Sequence, residues 1–249
     1  KQMDTQEGQN VNVCAIMGNF DDAQSGVKAL FEDEAFAEVL NEKGFQLSSA
    51  NSINIGRLVP QVVYYVYAYA KLLAYGEIED GEEINVTVPT GNFGNILAAY
   101  YAKQMGVPIA KLICASNENR VLFDFFKTGV YDKNRAFVLT TSPSMDILIS
   151  SNLERLIYLI AGEDSECTRK LMEALKTDGR YEITDEMKEK LADFAGGYAD
   201  EMQTSQEIKN VYEDTGYVLD THTAVAAYVC KKYREESKEP TKCLVASTA

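Results

Sequence analysis

Val86-Thr87-Val88-Pro89-Thr90-Gly91-Asn92-Phe93-Gly94-Asn95-Ile96-Leu97-Ala98-Ala99-Tyr100-Tyr101-Ala102-Lys103 decides how the rest of the chain reads. The β-branched residues at its start suit the end of a buried strand. Ile96, Leu97, Ala99, Tyr100 and Ala102 recur at the spacing of a helix with an apolar face. The glycines therefore fall in a strand-to-helix turn. Gly91 and Gly94 permit backbone angles and close approaches that a Cβ would forbid, and the first turn of the following helix carries N–H groups without intrahelical acceptors. Such a turn suits a phosphate. It equally suits an ordinary βα connection in which the glycines only make the turn. The stretch has neither the Lys-Ser/Thr of a P-loop nor a G-x-G-x-x-G, so neither motif applies.

Working outward, a strand over 84–88, a helix over 95–105 and a strand over 110–115 make a βαβ unit, with Gly106 as helix stop and Pro108 beyond it. Such units build parallel sheets with right-handed crossovers. Upstream, the pattern predicts a strand over 11–17 and a helix carrying Ala23, Val27, Leu30 and Phe31 behind capping groups at 19–22. A helical piece over 35–40, a strand over 45–47 and a long helix from Ile53 or Asn54 through Tyr69 follow. Downstream it predicts a helix over 121–127, a strand over 136–139 and an amphipathic helix over 148–160. Helices over 167–175, 185–194 (with Thr184 as N-cap), 205–212 and 221–233 come next, then a closing strand over 242–246. This is an α/β pattern. Residues 1–161 are expected to form most of the main domain, 162–216 a helical peripheral segment, and 217–249 a return to the main domain. The polar start at 1–10 and the abrupt end at Ser247-Thr248-Ala249 are expected to be cut ends.

The 249 residues, 46% hydrophobic, can bury a sizeable core. A formal net charge of −14 argues against nucleic acid or an anionic membrane as partner, since neutralising phosphates needs clustered Lys and Arg. The five cysteines are widely spaced with no C-x-x-C, and the chain has one histidine, so neither a disulfide framework nor a zinc site is indicated. Reduced thiols in a cytoplasmic protein are the simplest expectation. The apolar run 58–75 is broken by Pro60, Gln61 and Lys71, so it reads as a buried helix rather than a membrane span.

Individual polar residues have structural readings beside functional ones. His222, in Asp220-Thr221-His222-Thr223, lies at a helix start where Asp220 and Thr221 are good caps, and no G-x-S-x-G turn offers it a serine. Asp21 and Asp22 suit a helix N-terminus. Ser52 precedes a helix whose first turn carries Arg57. Ser142-Pro143-Ser144-Met145-Asp146 reads as a loop with a cap.

Seven segments, in order, resemble the C-terminal half of bacterial and fungal threonine synthase, a fold-type II pyridoxal-phosphate enzyme. They are Gly18-Asn19-Phe20-Asp21-Asp22-Ala23-Gln24, Ser52-Ile53-Asn54-Ile55-Gly56-Arg57, Pro89-Thr90-Gly91-Asn92-Phe93-Gly94-Asn95, Ser142-Pro143-Ser144-Met145-Asp146-Ile147, Ser151-Asn152-x-Glu154-Arg155, Asp220-Thr221-His222-Thr223-Ala224-Val225 and Ser247-Thr248-Ala249. The resemblance implies a three-layer domain around a parallel sheet and a cytoplasmic lyase of threonine biosynthesis, possible as a homo-oligomer. In such enzymes O-phospho-L-homoserine and water become L-threonine and phosphate on pyridoxal 5'-phosphate. It further implies that Gly91, Asn92, Phe93, Gly94 and Asn95 hold the cofactor phosphate and that the Thr248 hydroxyl hydrogen-bonds the pyridine nitrogen. Ser52, Asn54 and Arg57 would face the substrate, Arg57 meeting its anion; no metal is implied. The family's Schiff-base lysine lies in a Phe-Lys-Asp motif upstream of the loop, whereas here Phe126-Lys127-Thr128 follows it. No catalytic residue is therefore assigned, and the chain by itself is expected to be inactive. Two alternatives stand beside this reading. Another fold-type II lyase is disfavoured by Asp21-Asp22-Ala23-Gln24 and the 142–146 segment; a non-catalytic phospholigand-binding protein is left open by the missing motif.

Overall fold

The computed structural model describes residues 4–18 and 20–247. The chain divides between Ser49 and Ala50 into two compact units. The first contains helices α1 (Phe20–Glu32) and α2 (Glu34–Glu42), the latter capped by the Asp33 side chain on the Phe36 N–H at 2.9 Å. The strands expected over 11–17 and 45–47 do not form. Val11 makes one antiparallel bridge with Gly8, and Phe45 is 65% exposed. Apolar residues alone do not make a strand where no neighbouring strand takes their N–H and C=O groups.

The second unit opens with α3 (Ile55–Leu58), which passes through a 3-10 turn containing Pro60 into α4 (Val62–Ala74). Strand β1 (Ile84–Pro89) leads through the glycine loop into α5 (Gly94–Gln104), and β2 (Ile109–Ser116) follows. Then come α6 (Val121–Thr128), β3 (Val130–Asp132), α7 (Leu153–Ile160), α8 (Ser165–Thr177), β4 (Arg180–Glu182) and α9 (Asp185–Glu189). Strand β5 (Phe194–Tyr198), α10 (Glu201–Thr215), α11 (Thr221–Ser237) and β6 (Cys243–Val245) complete it.

The main sheet has the order β5-β2-β1-β6, all neighbours parallel. Both faces are covered, as the alternation along β2 shows. Leu112 and Cys114 belong to the core shared with α4, α5 and α7, while Ile113 and Ala115 pack with Val225, Ala226 and Val229 of α11. A strand buried on both faces has no polar side, which is why 84–88 and 110–115 read as continuous apolar runs. The result is helices, sheet, helices.

Three downstream expectations are corrected. Residues 136–139 are not a strand: Val138 gives its N–H to Asn119 Oδ1 at 2.9 Å and receives Asn119 Nδ2 on its carbonyl at 2.7 Å, so one asparagine side chain takes the place of a neighbouring strand. The strand of that region is β3, which pairs antiparallel with β4. The amphipathic helix begins at Leu153 rather than 148, because residues 150–152 are spent on the glycine loop. The helix expected over 185–194 stops at Glu189, and Phe194 starts β5 instead. Two strands therefore lie within 162–216, and β5 sits in the main sheet, where Phe194 pairs with Leu112 and stacks 5.1 Å from Phe126.

Candidate cofactor-phosphate site

The parallel strands β1, β2, β5 and β6 all deliver their C-terminal ends to one edge, where open α/β sheets place their ligands. There the loop after β1 enters α5 through Phe93, whose φ of 65° and ψ of 1° put a non-glycine residue in the left-handed region. The positive φ thus falls on Phe93, not on Gly91 or Gly94. A left-handed L-residue costs about 1–2 kcal/mol. Burying a phenyl ring contributes roughly 1.5–3 kcal/mol, and Phe93 is 1% exposed, with ring centroids of Phe126 and Phe194 each at 6.0 Å. Packing therefore holds the turn in its conformation.

The glycines serve close approach. A Cβ on Gly91 would lie 2.3 Å from the Ser144 carbonyl oxygen, and one on Gly94 would lie 2.6 Å from Ser52 Cβ. These contacts bring Ser52 and the 142–146 loop against the turn. Behind it, residues 150–152 take hold of the loop's oxygens. Ser150 Oγ donates to the Gly91 carbonyl at 2.8 Å, and Asn152 donates its N–H and Nδ2 to the Asn92 carbonyl at 3.1 and 2.9 Å. Ser151 Oγ donates to Asn92 Oδ1 at 3.2 Å, while the Phe93 carbonyl takes the Leu97 N–H. With the carbonyls drawn back, the N–H groups of residues 91–95 are left for a ligand: among the described residues none has a protein acceptor, and α5 has no side-chain cap. An uncapped helix N-terminus presenting successive N–H groups is an anion cradle, and the partial positive charge of the helix adds to it.

Each gripping residue is itself held. The Tyr131 hydroxyl on β3 donates to the Leu148 carbonyl at 3.0 Å and accepts the Ser150 N–H at 2.8 Å, and its ring stacks on Tyr181 of β4 at 5.3 Å. Arg155 bonds Asn152 Oδ1 at 3.2 Å and the Ile53 carbonyl at 2.7 Å. The Asn95 side chain accepts from the Tyr65 hydroxyl, a phenol whose pKa burial pushes upward.

On the opposite side, Asp146 is 3% exposed and accepts from Asn117 Nδ2, Asn119 Nδ2 and the Thr140 N–H and hydroxyl at 2.8–3.0 Å. The loop carrying Ser144 is fixed by these bonds. His222 completes the fixing, because its Nε2 accepts the Ser144 N–H at 3.2 Å, which puts the ring proton on Nδ1, 3.5 Å from Asp220 Oδ1. Asp220 caps α11 through the N–H groups of His222 and Thr223 at 2.9 and 3.0 Å. Burial raises the Asp220 carboxyl, but hydrogen bonds from Thr223 and His222 outweigh it and hold it below the usual range. Cys114, beside Thr90, is no nucleophile: burial pushes its thiol up to about 12.

Of the residues expected at the site, the structure brings together Gly91, Asn92, Phe93, Gly94, Asn95 and Ser52. Gln61, which the sequence did not single out, donates to Ser52 Oγ at 2.9 Å and to the Arg57 carbonyl at 2.8 Å. Asn54 caps α3 on the Gly56 N–H at 2.9 Å, and Arg57 is exposed with its Nε on the Ala50 carbonyl. Thr248 lies outside the described residues. Tyr131, Ser150, Asn152 and His222 were legible as residue types but not as partners of the loop.

The crystal structure of pyridoxal-phosphate-bound threonine synthase from Brucella melitensis superposes on 98% of this chain with a TM-score of 0.84 at 40% identity, using 50% of its own length. This chain is a homologue of threonine synthase. It is 38% identical over 258 residues to threonine synthase of Saccharomyces cerevisiae, covering 98% of this chain and 48% of that one. It is also 47% identical over 225 residues to threonine synthase-like 1 of Pongo abelii, covering 89% and 30%. The chain thus spans between about a third and a half of the length of the curated relatives it matches. No family model matches it. The parallel sheet with flanking helices is the fold of threonine synthase. No helix among the described residues is long and apolar enough to cross a membrane.

Proposed function

We propose that the loop 91–95 binds the phosphate of pyridoxal 5'-phosphate within a lyase that converts O-phospho-L-homoserine and water to L-threonine and phosphate. The observation carrying this is the uncapped α5 N-terminus, whose loop carbonyls are held from behind by Ser150 and Asn152. The residues fit the group: a dianion is balanced by the N–H groups of 91–95 and the helix dipole in a protein of net charge −14. When bound, the cofactor supplies an electron-withdrawing ring to the attached amino acid. By the family resemblance, the Thr248 hydroxyl would meet the ring nitrogen, and a hydroxyl there would leave that nitrogen largely unprotonated. Ser52, packed on Gly94, orients the substrate beside the cofactor, with Asn54 shaping that turn and the Arg57 guanidinium meeting the substrate's anion. No residue of this chain is assigned the covalent role, because no Phe-Lys-Asp motif is present.

A second reading is a non-catalytic phospholigand-binding protein, supported by the same anion cradle. The two are separated in steps. Titrating 4-deoxypyridoxine 5'-phosphate, which has ring and phosphate but no aldehyde, into the labelled chain should shift the amide resonances of 91–96 saturably. Saturation that leaves those amides unmoved sinks both readings. Phosphate release from O-phospho-L-homoserine by the full-length protein then selects the enzyme, and binding without release selects the binder.

A further inference from the structure

Cys230 on α11 and Cys243 on β6 converge on one hydroxyl of β1. Thr87 Oγ1 lies 3.1 Å from Cys243 Sγ and is also close enough to bias the Cys230 thiol. Both thiols line one cavity of about 530 Å³, whose wall carries Lys231, Arg234 and Lys238 together with Glu235 and Glu239. The neighbouring Cys243 thiol brings the Cys230 thiol down to about 7 despite its burial, with Thr87 and Arg234 adding to the effect, and Cys243 is raised in turn by Cys230. A thiolate beside a cation, open to a cavity and facing a second thiol, is the environment of a reactive cysteine with its resolving partner. The other thiols lack this arrangement: Cys114 is shut in the core, and Cys14 and Cys167 face no second cysteine among the described residues.

We propose that Cys230 and Cys243 are an oxidisable dithiol, a modification site at which a hydroperoxide converts the pair to a disulfide. The Cys230 thiolate attacks the peroxide oxygen, the O–O bond breaks, and the departing alkoxide or hydroxide takes up a proton, leaving Cys230 as the sulfenic acid. Cys243 then attacks that sulfur as its own proton is lost. The S–S bond forms, the S–O bond breaks, and the hydroxide leaves with the proton as water. Two thiols and one hydroperoxide give a disulfide, water and an alcohol (a second water when the oxidant is hydrogen peroxide), so the sulfurs lose the two electrons the peroxide gains.

Helix α11 packs on β6, which brings the two cysteines to the same cavity wall. Bonding needs Cα atoms about 4.4–6.8 Å apart and sulfurs at about 2.05 Å. Among the described residues, strand β6 is a three-residue, half-buried edge strand paired to β1 and packed on α11. The two elements are already tied further along, where Thr223 Oγ1 donates to Ser247 Oγ at 3.2 Å. Oxidation would add a second tie at the start of β6, at the end away from the phosphate cradle.

The test is peptide mapping of the reduced, full chain after brief hydrogen peroxide treatment and alkylation. The expected result is a linked peptide joining Cys230 and Cys243, lighter by two hydrogens and reversed by dithiothreitol. In Cys243→Ser, Cys230 should instead be trapped as a dimedone adduct. The wild-type map decides the matter even if the variant does not fold. Oxidation confined to Cys14 or Cys167, or linkage of Cys230 and Cys243 only to other cysteines, overturns the proposal.

Discussion

A methyl group added at position 91 or 94 has nowhere to go. The Gly91 Cβ would meet a backbone oxygen of Ser144 at 2.3 Å, and that oxygen belongs to a loop fixed by Asp146 and His222. The Gly94 Cβ would meet Ser52 Cβ at 2.6 Å, an atom that no side-chain rotation moves. We expect Gly91→Ala and Gly94→Ala each to cost about 1–3 kcal/mol of stability, the usual range for overpacking. Urea unfolding measures both, and equal, negligible costs would contradict the packing argument. The sequence reading gave both glycines a role in the turn, yet the strained backbone is at Phe93, a residue with no propensity for it. That exchange was invisible in sequence because it depends on Phe126 and Phe194, 33 and 101 residues further along the chain.

Among the elements, α11 shows the coupling between a cap and the site. Asp220 caps the start of its helix and faces His222, which holds the Ser144 N–H. Asp220→Ala should lose about 1 kcal/mol at neutral pH. Because the folded-state pKa of Asp220 lies below its unfolded value, its ionised form contributes stability fully above about pH 3.9, and that contribution is lost as pH falls through the folded value. The difference in unfolding free energy between wild type and Asp220→Asn should therefore shrink on acidification; a difference that grows instead would reverse the sign. The Asp220 and Thr184 caps were readable from residue type, since a cap is a local interaction. Strand β5 was not: Phe-Ala-Gly-Gly-Tyr carries no alternating pattern, and its pairing with β2 is decided some eighty residues away in sequence. Nor was the pairing of β3 with β4, which places Tyr131 to hold Ser150.

At the scale of the whole molecule, the sheet order β5-β2-β1-β6 puts the two most apolar strands in the middle. Amides of Val86 and Val88 should be the slowest to exchange, and those of Leu244 and Val245, on a short edge strand, distinctly faster. Equal protection in hydrogen-exchange mass spectrometry would mean that β6 is not an edge in solution. The sequence by itself determined the βαβ unit, the glycine turn, the helix caps and the family resemblance, because these rest on spacings within a few residues or on motifs in a fixed order. Only the tertiary structure decided which strands flank that unit, which residue bears the left-handed turn, and that Ser150, Asn152 and His222 draw the loop's oxygens and neighbours into place. Those outcomes depend on hydrogen bonds and packing between segments far apart in the chain, where no local period or propensity records which partner completes the contact.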